Sequence, residues 1–477
     1  FIGGKWVLGE KYIDNINPSD INDNIGFYTQ ADIDQLELAL DTAKTAQKQW
    51  AKVGLEKRYD ILSKIGHELI NESSRIGTIL SREEGKTLAE GKGEVYRSGQ
   101  FFTYYAAEVL RQKGETFASV RENIDIGIYR EPLGVVAVIS PWNFPMATAA
   151  WKIAPALAFG NSVLWKPANL TPASAIALTE IIAKQNVPEG LFQLIMGSGS
   201  ELGDALVRNP KVDGISFTGS LDVGQKILVE ASKNMTKIQM EMGSKNALVV
   251  SEDADIDIAV DASVIGAFGG TGQKCTASSR IVVDERVYDE FVEKFVSATS
   301  DLRVGNALCE DTQIGPVVSQ TQLQSNLDYI KLGVYEGAEL ACGGKQLSLL
   351  SDGYYQSPAV FLKTNNTMQI NREEMFAPIA CVMKSGSHDE SLAIVNDTSF
   401  GLMSGIITKS LARAEHFRKE AKTGCVMVNL PTAGTDYHVP FGGRGSSSFG
   451  SREQGQYAQE FYTSLKTVYK FSGVAES

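Results

Sequence analysis

The sequence predicts an α/β chain of two doubly wound units, each a mostly parallel sheet with helices on both faces. Three observations carry that expectation. Apolar, β-branched runs at 135–139, 162–165, 192–196, 214–217 and 247–250 read as buried strands. Between them, 147–159, 173–184, 201–207 and 223–232 repeat apolar residues at helical spacing, and strands alternating with helices in this way build a doubly wound sheet. The alternation resumes after the glycine-rich stretch 266–272, with strands near 280–283, 379–383, 404–408 and 425–429 and helices at 287–300 and 411–421.

The flanking elements follow in order. Residues 33–50 and 55–80 place apolar positions three and four apart with charges between them, which predicts two long amphipathic helices. Segments 123–130 and 464–471 look extended and belong to neither unit. Polar arms of this kind either pair with another subunit or form a plain surface hairpin. The 477 residues suffice for about three domains and a large core without cross-links.

Composition narrows the function. Lys and Arg number 45 against 57 Asp and Glu, a net charge of −12, which argues against nucleic acid or an anionic membrane as the main partner. The 43% hydrophobic and 21% charged content is that of an ordinary globular chain. Its apolar stretches are broken by Asn143, Lys152 and Lys166, short of the ~20 residues a membrane span needs. Cys275, Cys309, Cys342, Cys381 and Cys425 are scattered with no CxxC, which fits free thiols in a reducing compartment and predicts a cytoplasmic protein. His67, His388, His416 and His438 lack metal-ligand spacing, so no metal is expected.

Four motifs bear on chemistry. Gly197-Ser-Gly199-Ser-Glu-Leu-Gly203 follows a strand and opens a helix, and Gly219-Ser220 through Gly224 does the same after the next strand. One such turn is only a tight strand-to-helix connection, whereas two in consecutive units point to a nucleotide. Gly85-Lys86-Thr87 imitates the end of a phosphate-binding loop, but Leu80 stands where that loop needs glycine. Cys275 lies in Gly269-Gly-Thr-Gly-Gln-Lys-Cys275-Thr; most single cysteines are small buried hydrophobes, but a loop-to-helix position here would supply N–H dipoles that activate a thiol. Glu241, between Met240 and Met242, reads as a carboxylate of raised pKa able to act as a general base, or as the exposed side of a strand. Asn143 in Pro141-Trp-Asn-Phe-Pro145 can donate to an oxyanion or cap the following helix.

These pieces together resemble the aldehyde dehydrogenase superfamily over nearly the whole chain. The likeness runs through Phe1-Ile-Gly-Gly-Lys-Trp, Pro141-Trp-Asn-Phe-Pro, Lys166-Pro-Ala, Phe217-Thr-Gly-Ser and Glu241-Met-Gly-Ser-Lys-Asn. It continues through Gly272-Gln-Lys-Cys-Thr-Ala-Ser-Ser-Arg280, Glu373-Glu-Met-Phe-Ala-Pro378 and Pro440-Phe-Gly-Gly. The resemblance implies an aldehyde-dehydrogenase-like fold: a dinucleotide-binding domain at 1–112 and 133–243, a catalytic domain at 244–455, and a small β oligomerisation arm at 113–132 and 456–477. It implies a homodimer or homotetramer and a small-molecule aldehyde as substrate.

By the same resemblance Cys275 is the nucleophile, Asn143 an oxyanion donor and Glu241 the base that activates water. The cofactor, NAD or NADP, would meet Ile139, Trp142, Lys166, Ala168, Asn169, Gly199, Gly203, Phe217, Gly219, Ser220, Met242, Glu374 and Phe376. Asn169 stands where NAD-preferring members often carry Glu, so NADP is expected to be accepted. Ser244 and Ala377 each replace a usual glycine and read as minor departures.

Within the superfamily, Thr432-Ala-Gly-Thr-Asp-Tyr-His438-Val-Pro-Phe and Arg452-Glu-Gln-Gly are most similar to bacterial α-ketoglutarate semialdehyde dehydrogenases, with succinate-semialdehyde and sugar-derived aldehyde dehydrogenases as alternatives. The implied substrate tunnel holds Phe144, Thr148, Trp151, Lys274, Thr276, Thr435 and Phe441. Arg97 is either a carboxylate anchor or a solvated helix arginine. A cysteine hydrolase without redox chemistry is a reading from another class, and it needs a histidine beside Cys275, for which His438 is the candidate.

Overall fold

Residues 1–473 are described by the computed structural model; the last four residues of the arm expected at 456–477 lie outside the described residues. Val135–Ile139 occupies the middle of a six-stranded sheet in the spatial order Ser448–Phe449, Lys237–Met242, Gly214–Gly219, Val135–Ile139, Ser162–Lys166, Phe192–Leu194. All pairings are parallel except that of the two-residue edge strand Ser448–Phe449. The chain starts at the centre, winds outward through 162–166 and 192–194, then returns to the other side at 214–219. Strand order therefore reverses between Val135–Ile139 and Gly214–Gly219, and a crevice opens at the carboxyl ends of those strands.

Side chains on the central strand show why it is apolar throughout. Val135 and Ala137 join the core under helices Ile33–Trp50 and Leu221–Ser232, whereas Val136 and Val138 join the opposite core under Leu55–Asn71, Leu88–Val109 and Ala147–Ala158. Burial of each large aliphatic side chain contributes about 1.5–3 kcal/mol.

The second sheet has seven strands in the order Glu339–Cys342, Ala359–Leu362, Ile379–Ser385, Ser278–Asp284, Asn246–Val250, Met403–Ile407, Cys425–Val428, parallel except at its first pair. A third, three-stranded sheet pairs Thr463–Phe471 with Ile124–Pro132, from Thr463 against Pro132 to Phe471 against Ile124, and adds Glu115–Ala118. Among the described residues no helix is long and apolar enough to cross a membrane.

Several elements differ from the sequence expectation. The helix expected at 55–80 is two, Leu55–Asn71 and Ser73–Glu84, broken at Glu72 (φ −88°, ψ 3°), which is flanked by the weak helix formers Asn71, Ser73 and Ser74. The strand read at 247–250 is Asn246–Val250 of the second sheet, because an apolar run does not disclose its pairing partner; the first sheet's place is taken by Lys237–Met242. The segment 201–207 is a π-turn, Gly199–Gly203, followed by Asp204–Arg208. Helices Ile256–Phe268, Gln320–Tyr335 and His388–Asn396, the hairpin Lys11–Ile16 with Asn24–Gln30, and strands Glu339–Cys342 and Ala359–Leu362 had no clear signal in the pattern.

Arg280, on Ser278–Asp284, ties the second unit together. It is 1% exposed and donates to the carbonyls of Lys245 (3.0 Å), Ile394 (2.9 Å) and Val395 (3.1 Å), the last two in the final turn of His388–Asn396. Arg280→Met leaves these buried carbonyls without donors and is expected to destabilise the chain by about 3 kcal/mol, read as a lower urea midpoint; an unchanged midpoint refutes this role.

Candidate active site

The first sheet passes directly into the second. Lys237–Met242 ends at the carboxyl edge of its sheet, residues 243–245 follow, and Asn246–Val250 begins at the amino edge of the other. Those three residues hold the carboxyl ends of one sheet against the amino ends of the next. A Cβ on Gly243 would lie 2.5 Å from Glu374 Oε2, so any side chain there would push the Glu374 carboxylate aside.

Cys275 lies in this seam. It occupies a turn between the 3₁₀ segment Gly269–Gly272 and strand Ser278–Asp284, so the expected helix start, with its N–H dipoles, is absent. The loop is pinched instead: Gly272 has φ 68°, and a Cβ there would meet Ala377 O at 2.1 Å. Asn246 Nδ2 donates to the carbonyls of Cys275 (2.7 Å) and Ala277 (3.0 Å), and the Ser244 hydroxyl donates to Cys275 O as well. Ser244 is thus more than a minor departure, since a glycine cannot make that bond. Asn143 is 6% exposed and gives one amide N–H to Gln273 O at 2.9 Å, leaving the other for the cavity.

Two cavities meet at Cys275 and share Asn143, Phe144, Trp151 and Phe441. The first, about 290 Å³, takes in seven of the residues expected around substrate: Arg97, Phe144, Trp151, Lys274, Thr276, Thr435 and Phe441. Thr148, also expected there, lines the second cavity instead, from the second position of Ala147–Ala158. The second, about 230 Å³, contains Trp142, Gly219, Ser220, Met242, Glu374 and Phe376 together with Glu241.

The remaining expected cofactor residues continue along the same crevice. Ile139, Lys166 and Phe217 are at or near the carboxyl ends of their strands, followed by Ala168 and Asn169; Gly203 packs beside Lys166. Features of this crevice suit a dinucleotide. Asn169 Oδ1 and Thr218 Oγ1 are buried acceptors without partners, a Cβ on Gly199 would meet open space, and helix Leu221–Ser232 begins at Ser220 with no side-chain cap on its N–H groups. Phe376 holds φ 54° and sets its ring edge-on to Trp142 at 5.5 Å.

Ionisable groups here are strongly perturbed. Glu241 is 4% exposed, accepts from Ser448 Oγ at 2.5 Å, and has its pKa driven well up by burial and by the neighbouring Glu453 carboxylate. Burial pushes Glu374 up to about 7, opposed by the Ser244 N–H (2.7 Å) and the Lys245 charge. Burial, then Glu241 and Glu374, raises the Cys275 thiol, the reverse of the activation expected for a loop-to-helix cysteine.

Sequence reasoning missed the groups behind Glu241. Lys152 and Glu453 form a fully buried pair, and Lys152 Nζ also donates to Ser216 Oγ at 3.0 Å. The clue was available: Lys152 stands alone in the apolar run 147–158, where a charge persists only with a partner.

His438 is exposed, packs edge-on to Tyr437 and lines neither cavity, so it cannot serve Cys275 as a hydrolase base. The histidines do meet elsewhere, contrary to the spacing argument. His388 Nε2 lies 3.0 Å from His416 Nδ1 beside Asp389. Ring centroids 5.2 Å apart put the two nitrogens nearly head-on, as in a hydrogen bond.

Residues 6–468 match the family model described as the aldehyde dehydrogenase family. The chain belongs to this family. It is 39% identical over 473 residues to the α-ketoglutaric semialdehyde dehydrogenase of Bacillus subtilis, covering 98% of this chain and 97% of that one. It is 38% identical to the 2,5-dioxopentanoate dehydrogenase of Saccharolobus solfataricus, with 98% of each covered. The crystal structure of Staphylococcus aureus betaine aldehyde dehydrogenase in complex with NAD+ superposes with a TM-score of 0.97 at 31% identity, covering 100% of this chain and 95% of that one. The chain is thus an oxidoreductase of a family that uses NAD or NADP.

As an aldehyde dehydrogenase with a raised resting thiol, the free protein should be alkylated by iodoacetamide at Cys275 slowly at neutral pH and faster as pH rises. At pH values high enough to ionise Glu241, Glu241→Gln removes a negative neighbour, lowers the thiol pKa and speeds alkylation. Mass spectrometry of the Cys275 peptide checks both, and an equal or slower rate in the variant contradicts the assignment.

Proposed function

We propose that this aldehyde dehydrogenase oxidises α-ketoglutarate semialdehyde to α-ketoglutarate, and that NADP serves it as well as NAD. The observation that carries the substrate class is Arg97. Of the cations lining the first cavity, Lys86 is paired with Glu94 and Lys274 lies 3.6 Å from Glu90, whereas Arg97 has no ion pair among the described residues and rests over the Tyr437 ring at 5.4 Å. An unpaired guanidinium in a half-closed, aromatic-lined cavity favours a carboxylate at the far end of the aldehyde and repels a cationic aldehyde. The two semialdehyde dehydrogenases named above agree with that choice.

Each step then falls to a residue of the site. The Cys275 thiolate adds to the aldehyde carbon, and the carbonyl oxygen, now an oxyanion, takes hydrogen bonds from the free Asn143 amide and the Cys275 N–H. The nicotinamide supplies the hydride acceptor. Collapse of the thiohemiacetal leaves a thioester on Cys275. Glu241 takes a proton from water, the hydroxide adds to the thioester, and Cys275 leaves as the acid forms. Burial, then the Glu453 charge, raises the proton affinity of Glu241, and the Ser448 hydroxyl and Lys152 oppose them.

Asn169 and Lys166 would hold the adenosine ribose, Ser220 the pyrophosphate, and Glu374 with Phe376 the nicotinamide half. A neutral Asn169 does not repel a 2′-phosphate. The chain divides as 1–112 with 133–243 for the dinucleotide, 244–455 for catalysis, and 113–132 with 456–477 as an arm for a second copy. Exposed Phe117, Tyr129, Leu465 and Tyr469 on the three-stranded sheet support that use of the arm.

Initial rates on α-ketoglutarate semialdehyde, succinate semialdehyde, a sugar-derived aldehyde and an uncharged aliphatic aldehyde, each with NAD and NADP, test the reading. Arg97→Ala should lower kcat/KM about ten- to a hundredfold for the carboxylate-bearing aldehydes alone, the loss of one charge-assisted contact. Equal losses on all four substrates remove the anchor. Glu241→Gln should release one burst of reduced cofactor per site and then turn over about a hundredfold more slowly; an unchanged steady state removes Glu241 as the base.

A further inference from the structure

The Lys86–Glu94 pair is buried, lies against the oxyanion loop, and has no part in the chemistry above. Both side chains are almost fully buried and meet at 2.6 Å. Lys86 Nζ also donates to the backbone carbonyl of Asn143 at 2.6 Å and sits 4.2 Å from the centre of the Phe144 ring. Glu94 Oε1 accepts from the N–H groups of Met146 (2.9 Å) and Ala147 (3.1 Å), at the start of a helix that has no side-chain cap of its own. One ion pair thus grips the segment 143–147 at both ends, by the carbonyl of its first residue and the amides of its last two.

That grip acts on the catalytic amide through the main chain. The Asn143 side chain makes a single hydrogen bond, to Gln273 O, and that bond alone leaves the side chain free to swing. With the Asn143 peptide held by Lys86 and Phe144 lying under the ammonium, the direction of the side chain is set from both sides. The nearby carboxylates favour the ammonium form: Glu84 and Glu94 hold the Lys86 pKa above its usual value against the effect of burial. Its donors therefore remain available throughout the working range of the enzyme.

We infer that Lys86, fixed by Glu94, is a positioning residue that aims the Asn143 amide at the oxyanion. This rests on the reading of Asn143 as the oxyanion donor. Lys86 touches no reacting atom, so its removal should lower kcat and leave the KM for cofactor unchanged.

A double-mutant cycle with Asn143→Ala tests the inference in the full-length enzyme. Lys86→Met alone should cost about tenfold to a hundredfold in kcat, the effect of a misplaced catalytic group. In the Asn143→Ala background the same change should cost almost nothing. An equal loss in both backgrounds shows that Lys86 acts elsewhere and overturns the inference. If Asn143→Ala itself leaves kcat unchanged, the oxyanion reading fails first and the inference with it. Because a lone buried Glu94 threatens folding, Lys86→Met is also made with Glu94→Gln, which retains an acceptor for the two amides; the other buried neighbour, Glu84, lies 3.8 Å from Lys86 Nζ, has its pKa pushed up to about 8 by burial, and keeps its proton once the ammonium is gone. That double variant should melt close to the parent and keep the lowered kcat; parental kcat in it overturns the inference.

Discussion

Everything in this molecule is arranged around the contact between the carboxyl edge of one parallel sheet and the amino edge of the next. Three residues, 243–245, make that contact by continuing strand Lys237–Met242 into Asn246–Val250. Glu241 belongs to one side of the seam and Cys275, held by Ser244 and Asn246, to the other. Open sheets collect ligands at their carboxyl ends, and here the second sheet closes that crevice into two cavities with the thiol between them. A small shift of one unit against the other changes the spacing of Cys275 and Glu241 while altering neither unit internally.

Buried charge is the second theme. The site holds Glu241, Glu453 and Lys152 on one side and Glu84, Glu94 and Lys86 on the other, all almost removed from solvent. Desolvating so many ionisable groups is costly; Lys152 answers Glu453, Lys86 answers Glu94 and, at 3.8 Å, Glu84, and burial drives the Glu241 carboxyl toward its protonated form. Between them lies a thiol whose proton is held more firmly than that of a free cysteine. The thiol is masked by its burial and by the Glu241 and Glu374 carboxyls that share its surroundings.

The sequence disclosed the doubly wound units because strands covered on both faces are apolar throughout, as Val135–Ile139 is. Cys275, Glu241 and Asn143 stood out because each sits in a motif whose composition is unusual for its element, and the structure brings the three to the lining of one cavity. What the sequence could not disclose was partnership. Asn246–Val250 reads the same in either sheet. The pairing of Lys152 with Glu453 joins residues 301 apart in sequence, and Lys86 with Asn143 joins residues 57 apart. Which cavity Thr148 lines was hidden for a related reason, since helical position fixes its direction only once the helix is docked. The Cys275 environment was misjudged because a glycine-rich approach was taken for a helix start, when its glycines serve the close passage of Gly272 under Ala377.

The edge strand Ser448–Phe449 adds one more consequence. It lies antiparallel beside Lys237–Met242, placing Ser448 opposite Glu241, and Lys237 Nζ donates to Thr463 O at 2.9 Å. The last strand, Thr463–Phe471, then covers Ile124–Pro132. A sheet begun by the first half of the chain is therefore finished by its last tenth. On the ribosome the first sheet lacks its edge strand until residues 448–449 have emerged, long after the other five strands. The order of synthesis thus leaves Glu241 without the Ser448 hydroxyl until the strands of the second sheet have also been made.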